Sequence, residues 1–224
     1  EGRVQEEVKL LGMADITAEQ VIDKYVRAIG GQERIMEISD MTTVMEGEVQ
    51  GSVLTMTQEK KLGGKMHMTV KMSGMTVNET RVKGDQAQIL QMGNPEEVDD
   101  NALTDLQEQS IIFPEARFRE LNYQVEMIGR EAIRDQPTYV IKITSPAGKE
   151  LTEYYDVATH LKLRTVTSSE EATITVDYDD YREVEGLMYP HRVVSSGLMP
   201  VPLVFELKSL SVNTGIPDQN FSQE

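Results

Sequence analysis

From Asp40 onward the chain alternates apolar and polar residues with a period of two, and no other feature restricts its fold as strongly. Alternation sends every second side chain to the same face, so each run reads as a strand with one buried and one wetted side. The runs break at Gly51, Gly63-Gly64, Gly74 and Gly84-Asp85, which are turn signals. The pattern predicts an antiparallel meander between residues 41 and 92 and a second set of strands between 122 and 212, with turns at "SPAGK", "DVATH" and "VEGL". The stretch "NPEEVDDNALTDLQEQSIIFPE" separates the two sets. Asp100 or Asn101 there suits the cap of a short helix ending at Gln109. About eleven strands are too many for one flat sheet, which has to curl or close. The expected fold class is α+β, mainly β: a strongly curved antiparallel sheet with helices on its concave face.

The helices come first. Residues 1–16 show no clear period and read as linker, and residues 17–224 read as one domain. The opening "EGRVQEEVKLLG" lacks an initiating Met and reads as a processed product or an excised piece of a longer chain. In "TAEQVIDKYVRAIGG", Thr17 is a good N-cap and Gln20 completes a capping box. Val21, Ile22, Tyr25, Ala28 and Ile29 form one apolar face, and Gly30 stands where a helix ends on a left-handed residue. A phosphate-binding glycine loop would precede a helix, whereas Gly30-Gly31 follows one, so the pair is read as a stop and turn. A second short helix is expected over "QERIMEI", with Ile35, Met36 and Ile38 facing inward.

The 224 residues include 13 Met and no Trp or Cys. The absence of Cys excludes disulfides and thiol catalysis. No apolar run reaches the ~20 residues that span a bilayer, and a net charge of −16 without a basic stripe argues against a nucleic-acid partner. Methionine is densest in "KMHMTVKMSGM", where Met66, Met68, Val70 and Met72 share one strand face. Parity places Leu54 and Met56 beside them, Leu203, Phe205 and Leu207 on the last long strand, and Val21, Ile22, Tyr25 and Ile29 on the first helix. Methionine adapts to varied apolar shapes. Leu54, Met56, Met66, Met68, Met72, Tyr25, Leu203 and Phe205 are therefore candidates for lining an apolar groove, or for filling a core beneath the helices.

Chemistry is poorly supported. His67, His160 and His191 lie outside metal-ligand spacing of one another, and neither H-E-x-x-H nor G-x-S-x-G occurs. The carboxylates of "DYDDY" at 177–181 place Asp177 and Asp179 on one face and Asp180 on the other, and read as an acidic strand surface. In "EYYD", Tyr154 and Tyr155 read as strand formers and Asp156 as the opening of a turn assisted by Thr159. No catalytic residue, metal site or cofactor is assigned.

Several segments in order resemble a bacterial envelope family. They are "VIDKYVRAIGGQERIMEISD", "MIGREAI" with "TYVIKITSPAGKELTEYYDVATHLKLR", "YDDYREVEGLMYPHRV" and the closing "NTGIPDQNF". Over residues 17–224 the chain resembles the periplasmic lipoprotein-sorting fold (LolA/LolB-like), an incomplete β-barrel closed by helices. It is similar to the variant found C-terminal to insulinase-type zinc peptidases of Bacteroidetes. The resemblance implies a periplasmic or cell-envelope, non-catalytic domain that binds or shelters apolar ligands: acyl chains, lipoprotein or hydrophobic peptide segments. The alternative it implies is an accessory domain that helps the zinc-peptidase region of the same polypeptide dock substrate or subunits.

Overall fold

The computed structural model describes residues 9–12, 15–169 and 172–223. Among them the alternating runs form one antiparallel sheet of fourteen strands. The N-terminal set is β1 (Lys9–Gly12), β2 (Asp40–Val49), β3 (Ser52–Lys61), β4 (Lys65–Met72), β5 (Met75–Lys83), β6 (Gln86–Gln91) and β7 (Asn94–Glu96). The C-terminal set is β8 (Gln124–Ile133), β9 (Gln136–Thr144), β10 (Glu150–Asp156), β11 (Lys162–Ser168), β12 (Thr173–Val184), β13 (Leu187–Ser196) and β14 (Leu203–Val212). Strands β2 to β7 and β8 to β14 each run as a meander. Pairing of β14 with β2 fuses the two, and β1 adds to the outside of β8. The sheet stays open, with β1 and β7 as its edges. The expected count of about eleven missed β1 and β7, which at four and three residues are too short for a period to show. β1 lies inside the segment read as linker. Register shifts that leave one residue unpaired in β8, β11, β5 and β14 are bulges, which sharpen bending in a sheet of this width.

Helix α1 (Ala18–Ala28) begins as its sequence predicts: Thr17 and Gln20 cap one another reciprocally. Its end is a Schellman arrangement. The Gly31 N–H donates to the Val26 carbonyl at 2.9 Å, and the Gly30 N–H to Arg27 at 3.4 Å. Gly30 has φ +142° and Gly31 φ +86°, so both glycines serve the turn. Helix α2 (Gln32–Met36) follows at once. Ile35 and Ile38 are buried, but Met36 is exposed, a correction to the inward assignment. The helix is only five residues long, so its apolar face holds fewer positions than its apolar residues. Helix α3 (Asp100–Gln109) is capped by Asp99, one residue earlier than expected, whose carboxylate accepts from the Ala102 N–H at 2.7 Å.

The main core lies between the helices and the inner face of the C-terminal strands. Val21, Ile22, Tyr25, Val26 and Ile29 of α1 pack there with Ile141, Ile143, Tyr155, Leu187 and Leu210. Asp40 opens β2 and is itself buried. It accepts from the backbone N–H groups of Thr214 (2.8 Å) and Gly215 (3.1 Å), pinning the C-terminal "NTG" to the start of the N-terminal meander. Ile216 and Phe221 are buried just beyond.

A Cβ at Gly30 would stand 3.0 Å from Leu187 Cδ2 and 3.2 Å from the Gly186 carbonyl, at a φ that β-branched residues avoid. Gly30→Val is expected to lower stability by more than about 1 kcal/mol. A urea midpoint equal to wild type would refute this.

Candidate functional site

Register fixes which side chains share the concave face. Across β14, β2, β3 and β4, Leu207 faces Met45, Met45 faces Met56, and Met56 faces Val70. One step along, Phe205 faces Gly47, Gly47 faces Leu54, and Leu54 faces Met72. These residues form an apolar strip with Val49, Val193 and Leu203. Met45, Leu54 and Phe205 are buried and the others partly so, yet among the described residues no helical one belongs to the cluster. The curvature of the sheet, packing side chains of one face against each other, closes the strip.

Five of the eight candidates thus meet in one place: Leu54, Met56, Met72, Leu203 and Phe205. Met68 is half-buried on the same face, between Gln58 and Thr80 on the neighbouring strands. Met66 shares its parity but lies fully buried with Val82 and Leu106 of α3, so it is core. Tyr25 is core as well, its ring 5.1 Å from that of Tyr155.

A second feature escaped the sequence reading. Lys162 of β11 is buried and ion-paired to two buried glutamates, Glu153 of β10 at 2.7 Å and Glu115 from the 3₁₀ turn Pro114–Arg117. The Tyr155 hydroxyl donates to Glu153. The ammonium lies 5.5 Å from the Tyr25 ring centre and 5.4 Å from that of Tyr178. Burial alone would lower the Lys162 pKa. The carboxylates of Glu115 and Glu153 outweigh it and hold the amine charged, well above its ordinary range. Burial raises Glu153, with Lys162 opposing. Lys60, a half-buried residue of β3, points its amine inward and donates to the Ile111 carbonyl at 3.3 Å. Burial brings that amine down to about 8, against the pull of Glu115. Two lysines on the concave floor therefore hold the segment that crosses from α3 to β8. Parity held the signal for Glu153, a charge in register with Tyr155 and facing Ile141 across the ladder. Glu115 sits on an irregular segment with no pattern to reveal it.

A cleft of about 880 Å³ lies beside α1, floored by Ile22, Val26, Phe118 and Val125 and rimmed by charged side chains. Arg119 bridges to Asp23 of α1 at 3.2 Å. Its rim is polar and none of the strip residues lines it, so it is a separate feature.

The remaining charged clusters are internally paired. Asp177 is held by Arg164 at 2.6 and 3.0 Å, and Arg134 approaches Asp177 and Asp179 at 3.8 Å each. Asp180, at φ +52°, lies between Asp179 and Tyr181 in an unbroken register with β13 and pairs with Arg182. Asp156 accepts from the Ala158 and Thr159 N–H groups, as the turn reading requires. His67 bridges Glu59 (3.1 Å) and Glu79 (2.8 Å) through opposite ring nitrogens, which aims the three groups at no common point. Among the described residues no group of three or more His, Asp or Glu is arranged to hold a metal ion.

No family model matches the chain, and no curated protein sequence does. Solved structures do match in shape. A LolA superfamily protein from Nitrosomonas europaea superposes with TM-score 0.61 at 12% identity, covering 93% of this chain and 98% of that one. A DUF1329 family protein from Desulfovibrio piger gives TM-score 0.59 at 13% identity, covering 92% and 97%. A lipoprotein-sorting protein domain from Vibrio parahaemolyticus gives TM-score 0.59 at 12% identity, covering 92% and 96%.

Two predictions follow from the buried charges. Lys162→Met strands two carboxylates without a cation and should cost about 3–5 kcal/mol in a urea titration; a loss under about 1 kcal/mol would show the cluster to be wet. Lys60 titrates near 8 in the folded chain and near about 10.4 unfolded, so between those values only the unfolded state holds its proton. Measured against Lys60→Met, wild-type stability should therefore rise with pH across that window; a flat difference would refute the shift.

Proposed function

We propose that this chain has the LolA-like fold put to its non-catalytic use: a periplasmic or cell-envelope domain that shelters an apolar chain along the concave strip. The ligand class is an acyl chain or an apolar peptide segment. One observation carries the reading. Ten apolar side chains from five strands line the concave face, and among the described residues no helical side chain packs into their cluster. The similarity in fold to LolA superfamily proteins and to a lipoprotein-sorting domain supports the same use.

The strip is built of apolar side chains, and the next polar groups on the same face of β3 are Gln58 and Lys60. Recognition rests on area removed from water, about 0.8 kcal/mol for each methylene buried. Met45, Met56 and Met72 are unbranched and can change rotamer without moving backbone. A ligand enters by displacing these side chains, which close the strip when it is empty.

Purified protein should bind an environment-sensitive apolar fluorophore, and an acylated peptide should compete for it. Met56→Glu and Met72→Glu place a carboxylate at half-buried positions and should leave the protein folded while weakening the probe at least about tenfold, since an unpaired charge in an apolar site is severely unfavourable. Met66→Glu, at a fully buried position, should unfold it instead. Probe binding equal in wild type and both strip variants would remove the strip from the function. So would a wild-type protein that binds no probe.

A further inference from the structure

Ten large apolar side chains are exposed among the described residues, and six of them gather at one end of the sheet. They are Val53, Met75, Met92, Leu198, Met199 and Val201, between 41% and 71% exposed. The end is defined by connectivity. The β2–β3 turn at Gln50-Gly51, the β4–β5 turn at Ser73-Gly74, the β6–β7 turn at Met92-Gly93 and the loop from β13 to β14 follow one another along the same rim. Ser73 donates its N–H to the Val53 carbonyl, and Met92 donates to Val77, so each turn adjoins the next.

Charge separates this rim from the opposite one. Its turns read "VQGSV", "MSGM", "QMGN" and "GLMPVPL", without one charged residue in a chain that is 27% charged. At the other end the turns carry or adjoin Lys61 and Lys65, Lys83 and Asp85, Arg134 and Asp135, and Glu185. The uncharged row also has a limit: the next hairpin, between β11 and β12, reads "SSEEA" in sequence.

We propose that this row of turn tips docks the protein onto the surface of an uncharged, zwitterionic lipid bilayer. Hairpins two strands apart stand about 10 Å from one another. The apolar tips are thus spaced points, with polar Gln50, Ser73 and Gln91 between them. A protein partner needs a continuous packed face, which spaced tips do not offer. A bilayer interface accepts each tip separately among its headgroups and rewards the apolar area inserted. With a net charge of −16 and no basic residue within these turns, anionic lipid repels the protein. The row also meets the apolar strip. Val49, Met72 and Leu203 belong to the strip and lie at the strand ends that bear these turns. The docking surface is nevertheless distinct from the strip, and the fluorophore assay reads the strip without vesicles.

The test is flotation with phosphatidylcholine vesicles. Wild type should float, and vesicles containing phosphatidylglycerol should bind less. The double variant Leu198→Asp/Val201→Asp should lose at least about tenfold in partitioning. Met92→Asp, on a separate hairpin, should lose severalfold, and reads the same surface if the double variant misfolds. Leu62→Asp, exposed at the opposite rim, should float as wild type does. The proposal is overturned if wild type does not float, if the rim variants float equally well, or if Leu62→Asp loses as much. It is also overturned if the rim variants abolish self-association of a protein that never floats, which would assign the row to a second copy of the chain.

Discussion

The pairing of β14 with β2 is the contact on which the architecture depends. It joins residues more than 150 positions apart in sequence and turns two meanders into one sheet. Without it each meander would have its own edge and its own shallow face. The join is tight. A Cβ at Gly47 would stand 2.4 Å from the Val204 carbonyl, and the Phe205 ring lies over the space that the glycine leaves. Gly47 is therefore needed for close approach, and Phe205 covers the exposed backbone, as aromatic residues do beside strand glycines. The apolar strip is built across this seam, with Phe205 and Leu207 on one side and Met45 and Leu54 on the other. Asp40 secures the same join from its end by binding the backbone that follows β14.

The buried charges perform a different task. The segment from Ser110 to Tyr123 crosses the open side of the sheet with little regular structure, and apolar contacts from Ile112 and Phe118 anchor it to the core. Lys60 and Lys162 add fixed points, one on the Ile111 carbonyl and one on Glu115. A well-packed apolar replacement for such a cluster can be as stable as the ions it replaces. What the ions add is position: a lysine between two glutamates accepts one arrangement, whereas an irregular segment on a purely apolar floor has several of similar energy. The Tyr25 and Tyr178 rings lie against the ammonium, and the Tyr155 hydroxyl closes on Glu153 beside it.

Most of the fold was legible because alternation is a local signal and every long strand displays it. The cap of α1, the stop at Gly30 and the turn at Asp156 were legible for the same reason, since each depends on a few adjacent residues. What was missed depends on distant partners. β1 and β7 are strands only because β8 and β6 lie beside them. Met56 and Met66 are indistinguishable by parity, and only the position of α3 buries one completely and leaves the other half-buried. Lys162 and Glu115 are 47 residues apart, and neither predicts the other.

The uncovered strip is a consequence of size. Thirteen inter-strand gaps at about 4.8 Å make the sheet roughly 60 Å wide along its curve. A helix is about 10 Å across, so it covers some two strands, and α1 with 11 residues is only about 16 Å long. Three helices, one of them a single turn and a half, cannot roof fourteen strands. The inner positions left over must be polar, must fold against each other, or must be filled by something else. On β5 and β6 they turn polar at Asn78 and Gln91. Along the strip on β2, β3, β4 and β14 they stay apolar, and four of the nine side chains that close on themselves there are methionine or phenylalanine rather than branched aliphatics. Branched side chains would lock the strip shut in one packing. Methionines leave it closed but deformable, which is the property that the proposed uptake of an apolar chain requires.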